Sequence, residues 1–324
     1  MTEVIVVASA LLFLAGTWLI VIWGDKTIQP PVNDGAYPNR RAARSAAVRR
    51  YFWWANVGCF AALISGLLMA WPGGRLVIRI LAETSPDSAQ GRITDAQATV
   101  GLVTPDGTLA LLLFAGMPTG FVAALIYLVI YRWLPSGRLS GPLAGLLGLI
   151  VFGTGVEPFR TDNVDFTLIR PGWLSVLLFT VLAVLQGAIV AAAAGWYSQR
   201  LPLPSRRAVP AYLPLLTAVL TTVVFPPAAV LILVGVLLVM AWPGVATGRH
   251  HGWVSRTYVW PGRALLGLAV LLALPAFITS VVSSCLFKRE SHGNIRSAAS
   301  EDPSRMTLFS CTPPRSNATL SRAA

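Results

Sequence analysis

The sequence predicts an all-α, polytopic transmembrane helical bundle of about seven spans, with the N-terminus outside and the C-terminus inside. Three observations carry that expectation. Seven long apolar stretches, at about 4–23, 51–71, 108–131, 139–155, 172–196, 211–241 and 264–285, contain no Asp, Glu, Lys, Arg or His. Hydrophobic residues fill 55% of the 324 positions and charged residues only 12%, against about 25% charged in a soluble domain. The basic residues collect on one side of the apolar stretches.

A helix needs roughly 20 apolar residues to cross a hydrocarbon core of about 30 Å. Most of the stretches reach that length. The 139–155 stretch is the shortest, and the count falls to six spans if it is re-entrant. None of the stretches shows the alternation of a membrane-spanning strand. The first follows Met1-Thr2-Glu3 with no Lys or Arg ahead of it and continues to Trp23, so it is expected to be a permanent span and not a signal peptide.

Lys and Arg are retained on the cytoplasmic side of a membrane. With seven alternating spans, one face holds 17 of the 25 basic residues and 5 of the 13 acids, so the whole formal charge of +12 falls there. That face is assigned to the inside of a plasma (inner) membrane. A pI near 10.6 then reflects topology, and the expected partners are the lipid bilayer and anionic inner-leaflet lipids, not nucleic acid. The stretch Tyr37-Pro38-Asn39-Arg40-Arg41-Ala42-Ala43-Arg44 is either a topology anchor or a specific lipid or protein site. Trp23, Trp53, Trp54, Trp71, Trp133, Trp173, Trp196, Trp242 and Trp260 fall at span ends, as in an interfacial aromatic belt.

Inside the spans, Gly137, Gly141 and Gly145 form tandem G-x-x-x-G steps, and Gly116 and Gly120 form another. Such spacing lets helix backbones approach closely. The short link between the third and fourth spans predicts that these two pack as an antiparallel hairpin, with a homodimer face as the alternative use. Pro226 and Pro227 fall near the middle of the 211–241 stretch, where they remove two backbone donors and kink or break the helix. A broken helix is either a simple kink or a midplane binding element of a transporter. Asn56 and Gln186 are the main amides within the spans and are expected to hydrogen-bond between helices. The last span has no lysine for a Schiff base.

Outside the spans, Glu157, Asp162 and Asp165 lie close together with Arg160 and Arg170. This cluster is either a capping loop tied by ion pairs, a cation or ligand site, or an acid–base pair. The segment Gly155 to Phe166, with Arg170-Pro171-Gly172-Trp173-Leu174-Ser175-Val176-Leu177-Leu178-Phe179, resembles multi-span membrane proteins of actinobacteria. The resemblance covers about 40 residues around the fourth loop. It implies an integral membrane protein and supplies no activity, substrate or catalytic residue.

Between the second and third spans, residues 76–81 and 99–103 are rich in β-formers and predict a small surface hairpin; the alternative is that 75–82 lies along the interface as an amphipathic segment. His250 and His251 are adjacent and cannot easily share one ion. The cysteines Cys59, Cys285 and Cys311 form no framework. No P-loop, dinucleotide fingerprint, H-E-x-x-H or G-x-S-x-G is present, so no cofactor and no metal site is expected. From 286 to 324 the composition turns to Ser, Thr, Pro, Asn and Arg, predicting a disordered basic cytoplasmic tail.

With the catalytic inventory this small, the leading expectation is a non-enzymatic scaffold or subunit of a cell-envelope complex, with a membrane protein partner. A transporter or channel for a neutral or lipophilic solute, using the Pro226-Pro227 break, is one alternative. An outer-face membrane enzyme using Glu157, Asp162 or Asp165 is the other.

Overall fold

The computed structural model describes residues 2–31, 39–92, 99–155, 171–217, 237 and 254–286. Among these residues it is helical, without a β-strand. By contact the chain divides into two units, Met1–Cys285 and Leu286–Ala324. The expected tail from 287 onward lies outside the described residues, as does most of the 211–241 stretch.

The first helix, α1, is Thr2–Trp23. Helix α2, Arg40–Ser65, opens on Asn39, whose Oδ1 accepts the Ala42 N–H at 2.8 Å. That side chain satisfies one of the donors a helix start leaves unpaired. Helix α2 passes through a π turn, Gly66–Ala70, into α3, Trp71–Thr84, giving 45 helical residues in a row. At 1.5 Å per residue this rod is about 67 Å long and overshoots an apolar core of about 30 Å. A second rod joins α4, Pro105–Ala110, through another π turn, Leu111–Gly116, to α5, Met117–Ile130. Then come α6, Ser140–Phe152, α7, Gly172–Ser198, a 3₁₀ turn at Arg206–Tyr212, and α8, Val254–Leu286.

Five helices among the described residues are long and apolar enough to cross a membrane: Thr2–Trp23, Arg40–Thr84, Pro105–Ile130, Gly172–Ser198 and Val259–Ser283. Helix α6 is apolar but has only 13 residues.

Both π turns have the same cause. Each ends one residue before an X-Pro step, Trp71-Pro72 and Met117-Pro118. A proline removes its own N–H and pushes against the carbonyl four residues earlier. Widening the preceding turn relieves the clash: the N–H groups of Trp71 and Met117 bond back five residues, to Gly66 and Leu112. Leu68, whose carbonyl Pro72 cannot serve, turns that carbonyl toward Gly16 of α1, where a Cβ would sit 2.6 Å away.

This continuous rod corrects the expectation for 76–81. Those residues are helical, not part of a hairpin. Gly73, Val77 and Leu81, at i, i+4 and i+8, are all buried. Packing along that stripe overrides the β preference of Val and Ile, which is context-dependent. The other run makes a single bridge, with the Val100 N–H on the Arg92 carbonyl at 2.9 Å and the Gly91 N–H on the Val100 carbonyl at 3.1 Å.

The glycine steps also pair differently from expectation. Gly137 lies in the α5–α6 turn with φ +99, not on a helix face. Gly141 and Gly145 face α7, not α5: a Cβ on Gly141 would be 2.6 Å from the Gly187 carbonyl oxygen, and one on Gly145 would run into the Ala183 carbonyl. Gly116 and Gly120 meet the first rod at Trp71, Ala62 and Gly66. A short link makes helices neighbours, but the closest approach goes to whichever neighbour also offers small residues, and α7 offers Ala183, Gly187, Ala188 and Ala191. Helices α5 and α6 still touch, through Tyr127 Oη and Ser140 Oγ at 3.2 Å.

The core lies between α2, α5, α6 and α7, built on Trp53, Val57, Ala61, Ala62, Ala124 and Val190. The connections 24–31, 131–139 and 199–212 gather at one end of it. There the Gln29 N–H bonds Ser198 Oγ at 3.1 Å, Trp53 Nε1 bonds the Leu201 carbonyl at 3.0 Å, and Arg50 Nη2 bonds the Pro31 carbonyl at 3.1 Å. The start of α8 joins the same end: Arg263 Nε donates to the Trp133 carbonyl at 3.1 Å, Gly262 lies against the Trp133 ring, and Leu266 packs on the core. Seven strictly alternating spans put residues 133 and 263 on opposite faces, whereas here they touch.

Gly145→Ala is expected to lower stability by about 1–3 kcal/mol, as overpacking of a close contact does. Gly148→Ala, where a Cβ meets nothing within 4 Å, should be neutral or slightly stabilising. Unfolding titrations of the two variants in mixed micelles compare them directly.

Candidate functional site

Three polar positions inside the bundle are candidates, and they lie at different levels along the helices. Near the end where the loops gather, Asn56 of α2 is fully buried. Its Nδ2 donates to the Ala211 carbonyl at 2.8 Å and to Tyr197 Oη at 3.2 Å, and the Tyr197 hydroxyl donates to the same carbonyl at 2.6 Å. The amide thus ties α2, α7 and the 3₁₀ turn together, as expected for an interhelical hydrogen bond. Around it Phe60 stacks on Tyr197 at 4.1 Å, Trp23 on Trp196 at 4.5 Å, and the Arg200 guanidinium sits 4.2 Å from the Trp196 ring centroid. Only some of the tryptophans form an outward belt: Trp53 is fully buried, while Trp173 and Trp260 are exposed.

Gln186 of α7 differs from Asn56. It is buried, and neither its Nε2 nor its Oε1 has a hydrogen-bond partner. The expected interhelical bond is not made. The antiparallel register of α7 against the first rod is set by two contacts, Leu182 beside Gly73 and Tyr197 beside Asn56. That register puts Gln186 level with Leu68 and Met69, in the π turn. An unpaired buried amide costs about 1–3 kcal/mol, and π turns are frequent at functional sites.

At the far end, Trp71 and Arg75 stand one turn apart on α3 and both reach Thr108 in the first turn of α4. Trp71 Nε1 donates to the Thr108 carbonyl at 3.1 Å, and Arg75 Nη2 donates to Thr108 Oγ1 at 2.7 Å. Thr108 Oγ1 in turn donates to the Thr104 carbonyl at 2.7 Å. Arg75 is only 7% exposed, its Nε has no partner, and no carboxylate of the described residues pairs with it. Its neighbour Arg79 pairs with Glu83 one turn on.

Arg75 does not stand out in the sequence, because it falls just past the second apolar stretch, where a charge resembles a loop residue. The Gly73, Val77, Leu81 spacing is the signal that places it on a helix. The other sequence candidates, Glu157, Asp162 and Asp165, the break at Pro226 and Pro227, and His250 and His251, lie outside the described residues.

Asn56→Ala should cost about 1–2 kcal/mol, and its effect should not add to that of Tyr197→Phe, because both groups serve the Ala211 carbonyl. A double-mutant cycle of unfolding free energies reads the coupling.

No protein-family model matches the chain, and no curated protein or solved structure matches it either.

Proposed function

We propose that the chain is an integral, multi-pass protein of the plasma (inner) membrane that acts as a non-enzymatic scaffold or subunit of a cell-envelope complex. The observation that carries this is the uncovered apolar surface. On α1, Val4, Val7, Leu11, Leu14, Trp18 and Val21 form one outward row, each more than half exposed. At 1.5 Å per residue the row is about 26 Å tall, close to the thickness of a hydrocarbon core. On α8, Leu265, Leu268, Leu271 and Leu272 are likewise exposed. Rows of this kind suit lipid tails or partner helices. The polar side chains of Asn56, Trp53, Trp71 and Tyr127 are meanwhile engaged in joining helices.

The end that gathers the loops is assigned to the inside. Arg40, Arg41, Arg44 and Arg49 are exposed there on α2 and suit anionic inner-leaflet lipid. The contact between Arg263 and Trp133 supports placing residue 263 on this same face. Single cysteines at positions 41 and 263 of a cysteine-free chain should label from the same side of sealed vesicles. Labelling from opposite sides would restore strict alternation.

A second reading, passage of a neutral or lipophilic solute, is favoured by Gln186 beside the π turn. Gln186→Leu separates the two. In a scaffold it should raise stability by about 1–3 kcal/mol, by removing unpaired buried polar atoms. In a transporter it should abolish flux. Solute movement or substrate turnover by the purified, reconstituted chain alone would overturn the scaffold reading.

A further inference from the structure

We propose that Arg75, held by Thr108 at the start of the Pro105–Ile130 helix, anchors an oxyanion-binding site at headgroup level, on the face away from the exposed arginines of α2. The oxyanion is a phosphate, supplied by a lipid headgroup or as free inorganic phosphate.

Charge is the first argument. A guanidinium stays protonated at any physiological pH. Burying an unpaired ion costs several kcal/mol even after relaxation. Arg75 is more than nine-tenths buried, and its one partner among the described residues is a neutral hydroxyl. A neutral acceptor does not offset a full charge.

Asp106 lies in the first turn of α4 but forms no ion pair with Arg75.

Geometry decides the ligand class. The Thr108 bond fixes one arm of the guanidinium and leaves Nε–H without an acceptor. Planar N–H forks match the oxygens of phosphate and carboxylate groups. Trp71 pins the same residue of α4, so the arrangement is held from two points of α3. Since Arg75 is nearly covered, the ligand is a single compact anionic group and not a large molecule lying across the surface.

Depth favours phosphate. The charge-free stretch 51–71 runs along the first rod for about 30 Å at 1.5 Å per residue. Arg75 lies one turn further, about 6 Å beyond Trp71. In a bilayer this is the level of the headgroups.

The test uses the full chain purified in a zwitterionic detergent, with thermal unfolding followed as phosphatidylglycerol, phosphatidylcholine or inorganic phosphate is added. Wild type should be stabilised by phosphatidylglycerol and not by phosphatidylcholine. Arg75→Gln should lose that part of the response, while the part due to the arginines of α2 persists. A response to inorganic phosphate that also needs Arg75 identifies a free anion as the source, and its absence identifies the lipid headgroup. Arg75→Lys keeps the charge but loses the fork, and should bind about tenfold more weakly, a change of about 1.4 kcal/mol. Thr108→Val should weaken the response without removing it.

Equal responses in wild type, Arg75→Gln and Arg75→Lys would overturn the proposal, as would no response in wild type to either probe. If Arg75→Gln does not fold, the comparison of wild type with Arg75→Lys decides. An internal counter-charge would also overturn it: neutralising Asp106, Glu157, Asp162 or Asp165 would then destabilise wild type but not Arg75→Gln.

Discussion

The bundle depends on backbone-to-backbone contact at two helix crossings. In lipid, apolar side chains gain little from meeting each other, so helices hold together by close packing and hydrogen bonds. Gly141 and Gly145 against Ala183 and Gly187 bring α6 and α7 together, and Gly66, Gly116 and Gly120 bring the two π-containing rods together. A methyl group at any of these sites would meet a backbone or Cβ atom within ordinary contact distance. Because these approaches are close, the aromatic side chains at the loop end can interleave: Phe60 reaches Tyr197 and Trp53 reaches the Leu201 carbonyl.

The π turns set the direction of everything beyond them. A wide turn adds a residue to the helical count, and each residue advances the face by about 100°. Trp71 and Arg75 therefore point where they do because Pro72 forces a wide turn before it. The same device before Pro118 separates Thr108 from the regular face of α5. The two wide turns pack against each other at Gly66 and Gly116, so the helices cross where both are locally unwound. Proline in a membrane helix is tolerated when such adjustments re-satisfy the backbone.

The polar inventory shows what can be read from a chain and what cannot. Asn56 and Gln186 look alike in the sequence, each a lone amide in an apolar run. Asn56 is one turn from the loop end, where an irregular segment offers the free carbonyl of Ala211. Gln186 lies far from that end, level with the π turn, and remains without a partner. Arg75 was hidden for a different reason. A charge just past an apolar run resembles a loop residue, and only the continuation of the helix brings it into the interior. The acidic cluster at Glu157, Asp162 and Asp165 and the Pro226-Pro227 pair were the most visible candidates, and both lie outside the described residues.

The sequence by itself determined the helical class, the apolar stretches that become α1, α2, α5, α6, α7 and α8, and the concentration of arginine at their ends. These follow from composition and length, since a run of about 20 apolar residues has few alternatives to a helix in lipid. Only the tertiary structure decided which glycines meet, which amide finds a partner, and that Arg263 lies beside Trp133. These are relations between residues far apart in the chain. They depend on rotation about helix axes, which a single wide turn changes and which no local pattern in this sequence records.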